Sequence, residues 1–270
     1  MALPEVTVLL PTYNTAELTK LCLRLIRKHT DLNLAKVIVI DNGSTDHSRS
    51  YLRTLKWIKL IERQPDPSES GALSHSRALD LALERIDTPF VLSIHTDTLV
   101  RNKDWLPFLL SEIKMNAHIA GVGSWKLEKK TIYEKILKYI EFFFQRSYYF
   151  LIGKKHVGLE SSNHHIRYLR SHCALYRLDL IKKHNTCFSD GEEMAGKRMH
   201  RKLIAHGYQM KFIPTNILLK YMEHINHATT ALNPELSRRK SSVKKGLRRI
   251  KKNLAQFNAS AILQEHHLDY

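Results

Sequence analysis

Pro89-Phe90-Val91-Leu92-Ser93-Ile94-His95-Thr96-Asp97 is the stretch that decides the fold class of this chain. A short apolar run with β-branched residues, entered through a proline, suits a strand buried on both faces better than a helix. The run stops at the polar triplet His95-Thr96-Asp97, with Thr98 beyond it. In an open α/β sheet, ligands sit in the crevice at the carboxyl ends of the strands. A carboxylate there, close to an imidazole, can hold a divalent metal or orient a polar ligand. A strand end closed by an Asx-type turn would show the same triplet, so the neighbouring sequence has to decide.

On the N-terminal side, Val6-Thr7-Val8-Leu9-Leu10 and Val37-Ile38-Val39-Ile40 read as buried strands. They end at Pro11-Thr12-Tyr13-Asn14 and at Asp41-Asn42-Gly43-Ser44-Thr45-Asp46. Between them Leu18, Leu21, Cys22, Leu25 and Ile26 recur at the spacing of an amphipathic helix. Residues 57–61 suit a short fourth strand, and residues 71–85 a helix with Leu73, Ala78, Leu81 and Ala82 on one side. Strands alternating with helices in this way predict an α/β fold with a mostly parallel, doubly wound sheet. Farther on, residues 105–115 read as a helix, 119–123 as a strand, and 172–181 as a strand passing into a helix. Residues 192–206 read as a helix stopped by Gly207. Residues 212–214 and 217–221 are expected to add edge strands. The stretch 132–152, with Phe142, Phe143, Phe144, Tyr148, Tyr149 and Phe150, is either a core helix or an exposed lipid- or acceptor-facing surface.

At 270 residues, one large α/β domain over residues 1–230 with a tail over 231–270 is expected. The formal net charge of +17 favours acidic partners such as nucleotide phosphates or anionic headgroups. Much of it lies in the tail, where Asn233-Pro234-Glu235 is a helix-start signal. Leu236, Val243, Leu247, Ile250, Leu254 and Phe257 follow at helical spacing, with cations interleaved from Arg238 to Lys252. A basic amphipathic helix of this kind is a membrane-surface element, or a helix docked on the domain with a solvated cationic face. Cations gathered in one tail, rather than along a groove with stacking aromatics, argue against nucleic acid as partner. The three cysteines show no metal spacing, which suits a reducing compartment. Met1 to Glu5 carries no basic segment before the apolar run, and no 18-residue uncharged apolar stretch follows. Neither a cleaved leader nor a spanning helix is expected.

Three strand ends, after Leu10, Ile40 and Ile94, carry polar clusters in the same sense along the chain. In a parallel sheet these ends share one edge, so Tyr13, Asp41 and Asp97 can converge on one pocket. An aromatic wall, a carboxylate for a base or ribose and a carboxylate for a metal would suit a nucleoside diphosphate. No G-x-x-x-x-G-K-[ST] or G-x-G-x-x-G phosphate cradle is present. Phosphate charge would therefore fall to a cation on Asp97 or to basic side chains such as Arg77.

Pro11-Thr12-Tyr13-Asn14, the run Val39 to Asp46, the helix start from Gly71 to Ala78 and the end His95-Thr96-Asp97 together resemble the family 2 glycosyltransferases. The resemblance is strongest over residues 4–125. It implies a GT-A fold and transfer of sugar from a nucleotide-diphospho-sugar with inversion. It implies that Pro11, Thr12 and Tyr13 line the nucleobase pocket and that Asp41 meets the base or ribose; Arg77 and Thr96 are further candidates for binding the donor. Asp97 matches the last aspartate of the family's Asp-x-Asp metal motif, while His95 stands where that motif begins with aspartate. An imidazole there accepts Mn²⁺ better than Mg²⁺, since hard cations prefer oxygen.

An inverting transferase needs a carboxylate base for the acceptor hydroxyl. The resemblance points to Glu193, or next to it Glu192, in Asp190-Gly191-Glu192-Glu193; both could equally be carboxylates favouring a helix N-terminus. It also points to His224 or His227 as a contact for metal or diphosphate, whereas His164-His165 and His266-His267 read as surface residues. Taken together, the expectation is a metal-assisted transferase (Mn²⁺ or Mg²⁺). It would act on a lipid-linked or cell-envelope glycan acceptor, peripheral at the cytoplasmic, inner face of an anionic membrane. A transferase-like protein that binds nucleotide sugar without catalysis is the alternative.

Overall fold

The computed structural model describes residues 3–127, 139–140, 143–144, 167–226, 228–234 and 240–270. The N-terminal strands β1 (Val6–Thr12), β2 (Ala35–Asn42), β3 (Lys59–Arg63) and β4 (Phe90–Ile94) are followed by β5 (Thr98–Val100) and β6 (Ile119–Gly123). Then come β7 (Cys173–Arg177), β8 (Gln209–Phe212) and β9 (Met222–His224). The helices are α1 (Ala16–His29), α2 (Ser48–Leu52), α3 (Gly71–Leu83), α4 (Trp105–Lys114) and α5 (Leu178–Lys183). They continue with α6 (Lys197–Ala205), α7 (Thr215–Leu218), α8 (Ala228–Leu232), α9 (Lys240–Gln256) and α10 (Ala259–Gln264).

Seven strands form one sheet in the order β3-β2-β1-β4-β7-β6-β8. β1 to β4 are parallel, and β7 runs antiparallel between β4 and β6. The expected mostly parallel α/β sheet is therefore present. Alternation along the strands sends Val8 and Leu10 to a core shared with Leu21 and Leu25 of α1, while Leu9 meets Ala78 and Leu79 of α3 on the other face. Both faces are covered, which is why β4 is apolar and buried throughout.

Two connections depart from the sequence expectation. Residues 217–221 do not form an edge strand: α7 ends at Leu218, and the strand is β9, paired antiparallel with β5 outside the large sheet. The helix expected from residue 192 begins only at Lys197, after Gly196 in the left-handed region at φ 73°. Asp190–Glu192 is a separate 3₁₀ turn in which Glu192 itself has φ 53°. Gly207, at φ 86°, does end α6 as expected.

Residues 1–127 and 168–270 form one unit, and residues 128–167 another. Within the second, Tyr139, Ile140, Phe143 and Phe144 are exposed; Phe142, Tyr148, Tyr149 and Phe150 lie outside the described residues, as do His164 and His165. The C-terminal helices belong to the first unit, with Ile250, Ala259 and Ile262 in the same core as α1. Their last turn is clasped by Arg24, whose side chain is buried. Its guanidinium donates to Asp269 Oδ1 at 2.9 Å, to Asp269 Oδ2 at 2.5 Å and to the Leu263 carbonyl at 2.6 Å. Of the helix-start signal, Glu235 lies outside the described residues, as do Arg238 and Arg239.

Candidate functional site

The expected pocket edge exists because β2, β1 and β4 are neighbours running the same way, with Thr12 opposite Asp41 and Leu9 opposite Ser93. Asp41 is fully buried at the end of β2. Arg49 of α2 donates to its Oδ2 at 3.0 Å, and Oδ1 has no hydrogen-bond partner. An unsatisfied buried carboxylate oxygen carries a desolvation cost that a ligand N–H or O–H would offset.

The end of β4 gathers more than the sequence announced. Pairing of Ile94 with Cys173 sets His172 beside His95, and pairing of Thr98 with His224 sets that imidazole beside Asp97. Ile225 then donates its N–H to the Asp97 carbonyl at 2.9 Å. Asp97 Oδ2 accepts from the Ala228 N–H at 3.2 Å, at the start of α8. His224 Nε2 lies 3.0 Å and His95 Nδ1 3.8 Å from Asp97 Oδ1. Among the described residues, His95, Asp97 and His224 form a group whose donor atoms all lie within 4.8 Å of one another.

Around this trio stand two further histidines. His172 stacks on His224 with ring centroids 4.5 Å apart, and its Nε2 is 2.7 Å from Ser124 Oγ. His75, on α3, meets His95 edge to face at 4.9 Å. Ser171 Oγ sits between them, 2.9 Å from His95 Nε2 and 3.1 Å from His75 Nε2. Burial pushes His75 down to about 4 and His95 and His172 well below the ordinary histidine value. Burial opposes ionisation of Asp97 too, yet His224 and His95 hold its carboxyl below the usual carboxylate range. The imidazoles of His75, His95 and His172 are thus neutral with lone pairs available, and the carboxylate is charged.

This donor set fits a divalent metal. Asp97 Oδ1 and both ring nitrogens of His224 are buried without a hydrogen-bond partner, although Oδ1 and Nε2 are close enough for one. Asp97 Oδ1, His224 Nε2 and His95 Nδ1 lie close enough together to share one ion.

The other expected site residues fall less neatly. Pro11 and Thr12 are buried, but Thr12 Oγ1 bonds Thr19 at 2.7 Å, which turns it towards α1. Tyr13 is half-buried at the strand end and Thr96 is buried beside Asp97. Arg77 is committed to carboxylates: it donates to Glu69 at 2.9 Å and lies 3.9 Å from Glu192. Glu193 is tied to the helix that follows it by Lys197 at 2.6 Å and Arg201 at 3.2 Å. Lys197 in particular holds its carboxyl below the ordinary value. Glu192 is 74% exposed. His227 lies outside the described residues, and His266 and His267 sit in the last turn of the chain. Nothing local in the sequence marks His75 or Ser171 as site residues, and His172 is marked only by its place at the start of a strand.

Comparisons with known proteins agree with the architecture. Residues 7–184 match the model of glycosyl transferase family 2. No curated protein matches the chain in sequence. Among solved structures, a mannosyltransferase from Pyrobaculum calidifontis in complex with GDP-Man and Mn²⁺ aligns at TM-score 0.55 and 19% identity, over 78% of this chain and 55% of that one. TarS 1–349 of S. aureus aligns at TM-score 0.55 and 16% identity, over 86% of this chain and 63% of that one. The chain thus spans less than two thirds of the length of either, and the likeness is one of fold. With its sheet order, its strand-end carboxylates and a family match over most of its length, this chain belongs to glycosyltransferase family 2 and has the GT-A fold.

Proposed function

We propose that the chain transfers a sugar, with inversion, from a nucleotide-diphospho-sugar to a lipid-linked or cell-envelope glycan acceptor. The observation that carries this reading is the pair of buried carboxylates, Asp41 and Asp97, each with an unpartnered oxygen, at the same edge of the parallel strands β2 and β4 that flank β1. Asp41 accepts from the base or ribose, with Pro11 and Tyr13 beside it and Thr96 on the diphosphate side. Asp97, His224 and His95 hold the divalent ion, as the Mn²⁺ in the Pyrobaculum complex makes reasonable. When bound, such an ion supplies Lewis-acid assistance to the departing diphosphate. Glu192 becomes the better candidate than Glu193 for deprotonating the acceptor hydroxyl, because two cations already neutralise Glu193. Isothermal titration of UDP, GDP and dTDP with and without Mn²⁺ is the test, on wild type and Asp97→Ala. Metal-dependent binding of one nucleotide, lost in the variant, supports the reading; binding of none of them sinks it.

Glu193's engagement also favours a second reading, in which the nucleotide sugar is bound but not transferred. Release of free or transferred sugar by purified protein, abolished in Glu192→Gln, separates the two.

The same proposal places the enzyme at the cytoplasmic face of an anionic membrane as a peripheral protein, with α9 as the contact. Lys244, Lys245, Arg248, Lys251 and Lys252 are exposed there around a 45% exposed Leu247, while Gly246 and Ile250 face inward. No helix among the described residues is long and apolar enough to cross a membrane. Flotation with phosphatidylserine vesicles should be lost when Lys251 and Lys252 become Glu; salt-insensitive or unchanged flotation would refute the contact.

A further inference from the structure

We propose, resting on the metal-site reading above, that this site selects an imidazole-preferring ion such as Co²⁺ or Zn²⁺ over Mg²⁺. We further propose that Ser171, held by His75, is the positioning residue that makes His95 a ligand. The donor set is two imidazole nitrogens and one carboxylate oxygen, His95 Nδ1, His224 Nε2 and Asp97 Oδ1. Mg²⁺ favours an all-oxygen octahedron and sheds water reluctantly. Imidazole suits cobalt, nickel and zinc, and affinity at a mixed N/O site rises from manganese towards them. His95 can ligate only if Nδ1, the nitrogen facing Asp97, is bare, so its proton must sit on Nε2. That nitrogen is 2.9 Å from Ser171 Oγ, which accepts it. The same hydroxyl is 3.1 Å from His75 Nε2; by donating its proton there it keeps its lone pairs for His95. The relay fixes both the tautomer and the ring orientation of His95, as outer-shell partners of ligating histidines do.

The experiment titrates Co²⁺, Zn²⁺, Mn²⁺ and Mg²⁺ into the full chain by calorimetry, with Co²⁺ also followed by its visible absorption. Asp97→Asn serves as the blank for the chain's other histidines. Expected are Co²⁺ bands present in wild type and absent in the blank, with Co²⁺ bound about 100-fold or more tighter than Mg²⁺. His95→Asp should shrink that ratio at least about tenfold, and Ser171→Ala should weaken Co²⁺ by about tenfold or more and alter its spectrum, with Ser171→Thr restoring both. Equal affinity for Mg²⁺ and Co²⁺ in wild type, or a ratio unmoved by His95→Asp, overturns the selectivity. An unaltered cobalt spectrum in Ser171→Ala overturns the positioning role, and that variant keeps the test alive should His95→Asp fail to fold. A final titration of UDP and GDP onto the cobalt-loaded protein separates the two levels. Cobalt selectivity without nucleotide binding removes the proposed function alone, and nucleotide binding supported equally by Mg²⁺ removes the selectivity alone.

Discussion

Two regions of this molecule bury charge, and they do so in opposite ways. At the Arg24 clasp every polar atom is answered: the guanidinium meets both oxygens of Asp269 and two carbonyls, and Tyr51 donates to Asp269 Oδ1 at 2.8 Å. Burial opposes ionisation of Asp269, but Arg24 and Tyr51 hold its carboxyl below the ordinary range. At the end of β4, Asp97 is held in its charged form in the same direction, yet its Oδ1 and both nitrogens of His224 lack hydrogen-bond partners. A closed network stabilises the fold; a buried one with unanswered polar atoms leaves places for a ligand to fill. Buried charge by itself therefore says little about function, and the completeness of its partners says much.

The largest effect should come from opening the closed network. Asp269→Ala strands a buried guanidinium and is expected to cost about 3 to 5 kcal/mol, read as a fall in the urea midpoint. Replacing the pair with Arg24→Met and Asp269→Leu should recover more than half of that loss. A loss under about 1 kcal/mol in the single variant would mean the clasp is decoration.

His200 is an intermediate case, one nitrogen answered and one not. Its Nδ1 accepts from the Leu169 N–H at 3.3 Å, Nε2 has no hydrogen-bond partner, and burial pushes its pKa down to about 4. Because the folded value lies below the unfolded one, the unfolded chain binds the proton first as pH falls. Stability is thus intact above about pH 6.5 and declines towards pH 4, by at most about 3 kcal/mol for this residue. His75, His95 and His172 act in the same direction. Melting temperatures from pH 7.5 to 4.5 should show the decline, shallower in His200→Asn; parallel curves would contradict the assignment.

A smaller effect is expected at Gly246, where a Cβ would meet Ala231 Cβ at 2.6 Å as α9 packs on α8. Gly246→Ala should lose about 1 kcal/mol, overpacking outweighing the gain in helix propensity. A stabilised variant would show that α9 stands off the domain. The smallest change belongs to the open network: Asp97→Asn should alter metal-free stability by less than about 1 kcal/mol while abolishing metal-dependent nucleotide binding. A loss as large as that of Asp269→Ala would erase the distinction between the two regions.

Much of the fold could be read directly. The alternation in β1, β2 and β4 and the helical spacing of α1 and α3 are local patterns whose burial follows from their period. Asp41 and Asp97 were visible for the same reason, since a polar residue ending an apolar run in a parallel sheet has one place to go. The start of α6 was misread because carboxylates at 192 and 193 imitate a helix N-terminus, while the true boundary rests on the left-handed backbone of Gly196. The fate of the basic tail was open, because an amphipathic helix does not say what its apolar side meets.

The sequence by itself determined the order of most strands and helices, the parallel character of the sheet's first half and the carboxylates at its edge, all legible in local patterns of apolar and polar residues. Only tertiary structure decided the composition of the site. Ser171 reaches His95 across 76 positions and Ala228 reaches Asp97 across 131, through the antiparallel pairings of β7 with β4 and of β9 with β5. Those pairings are chosen by the packing of the whole sheet rather than by any local periodicity, so the histidines they assemble leave no mark on the chain where they occur.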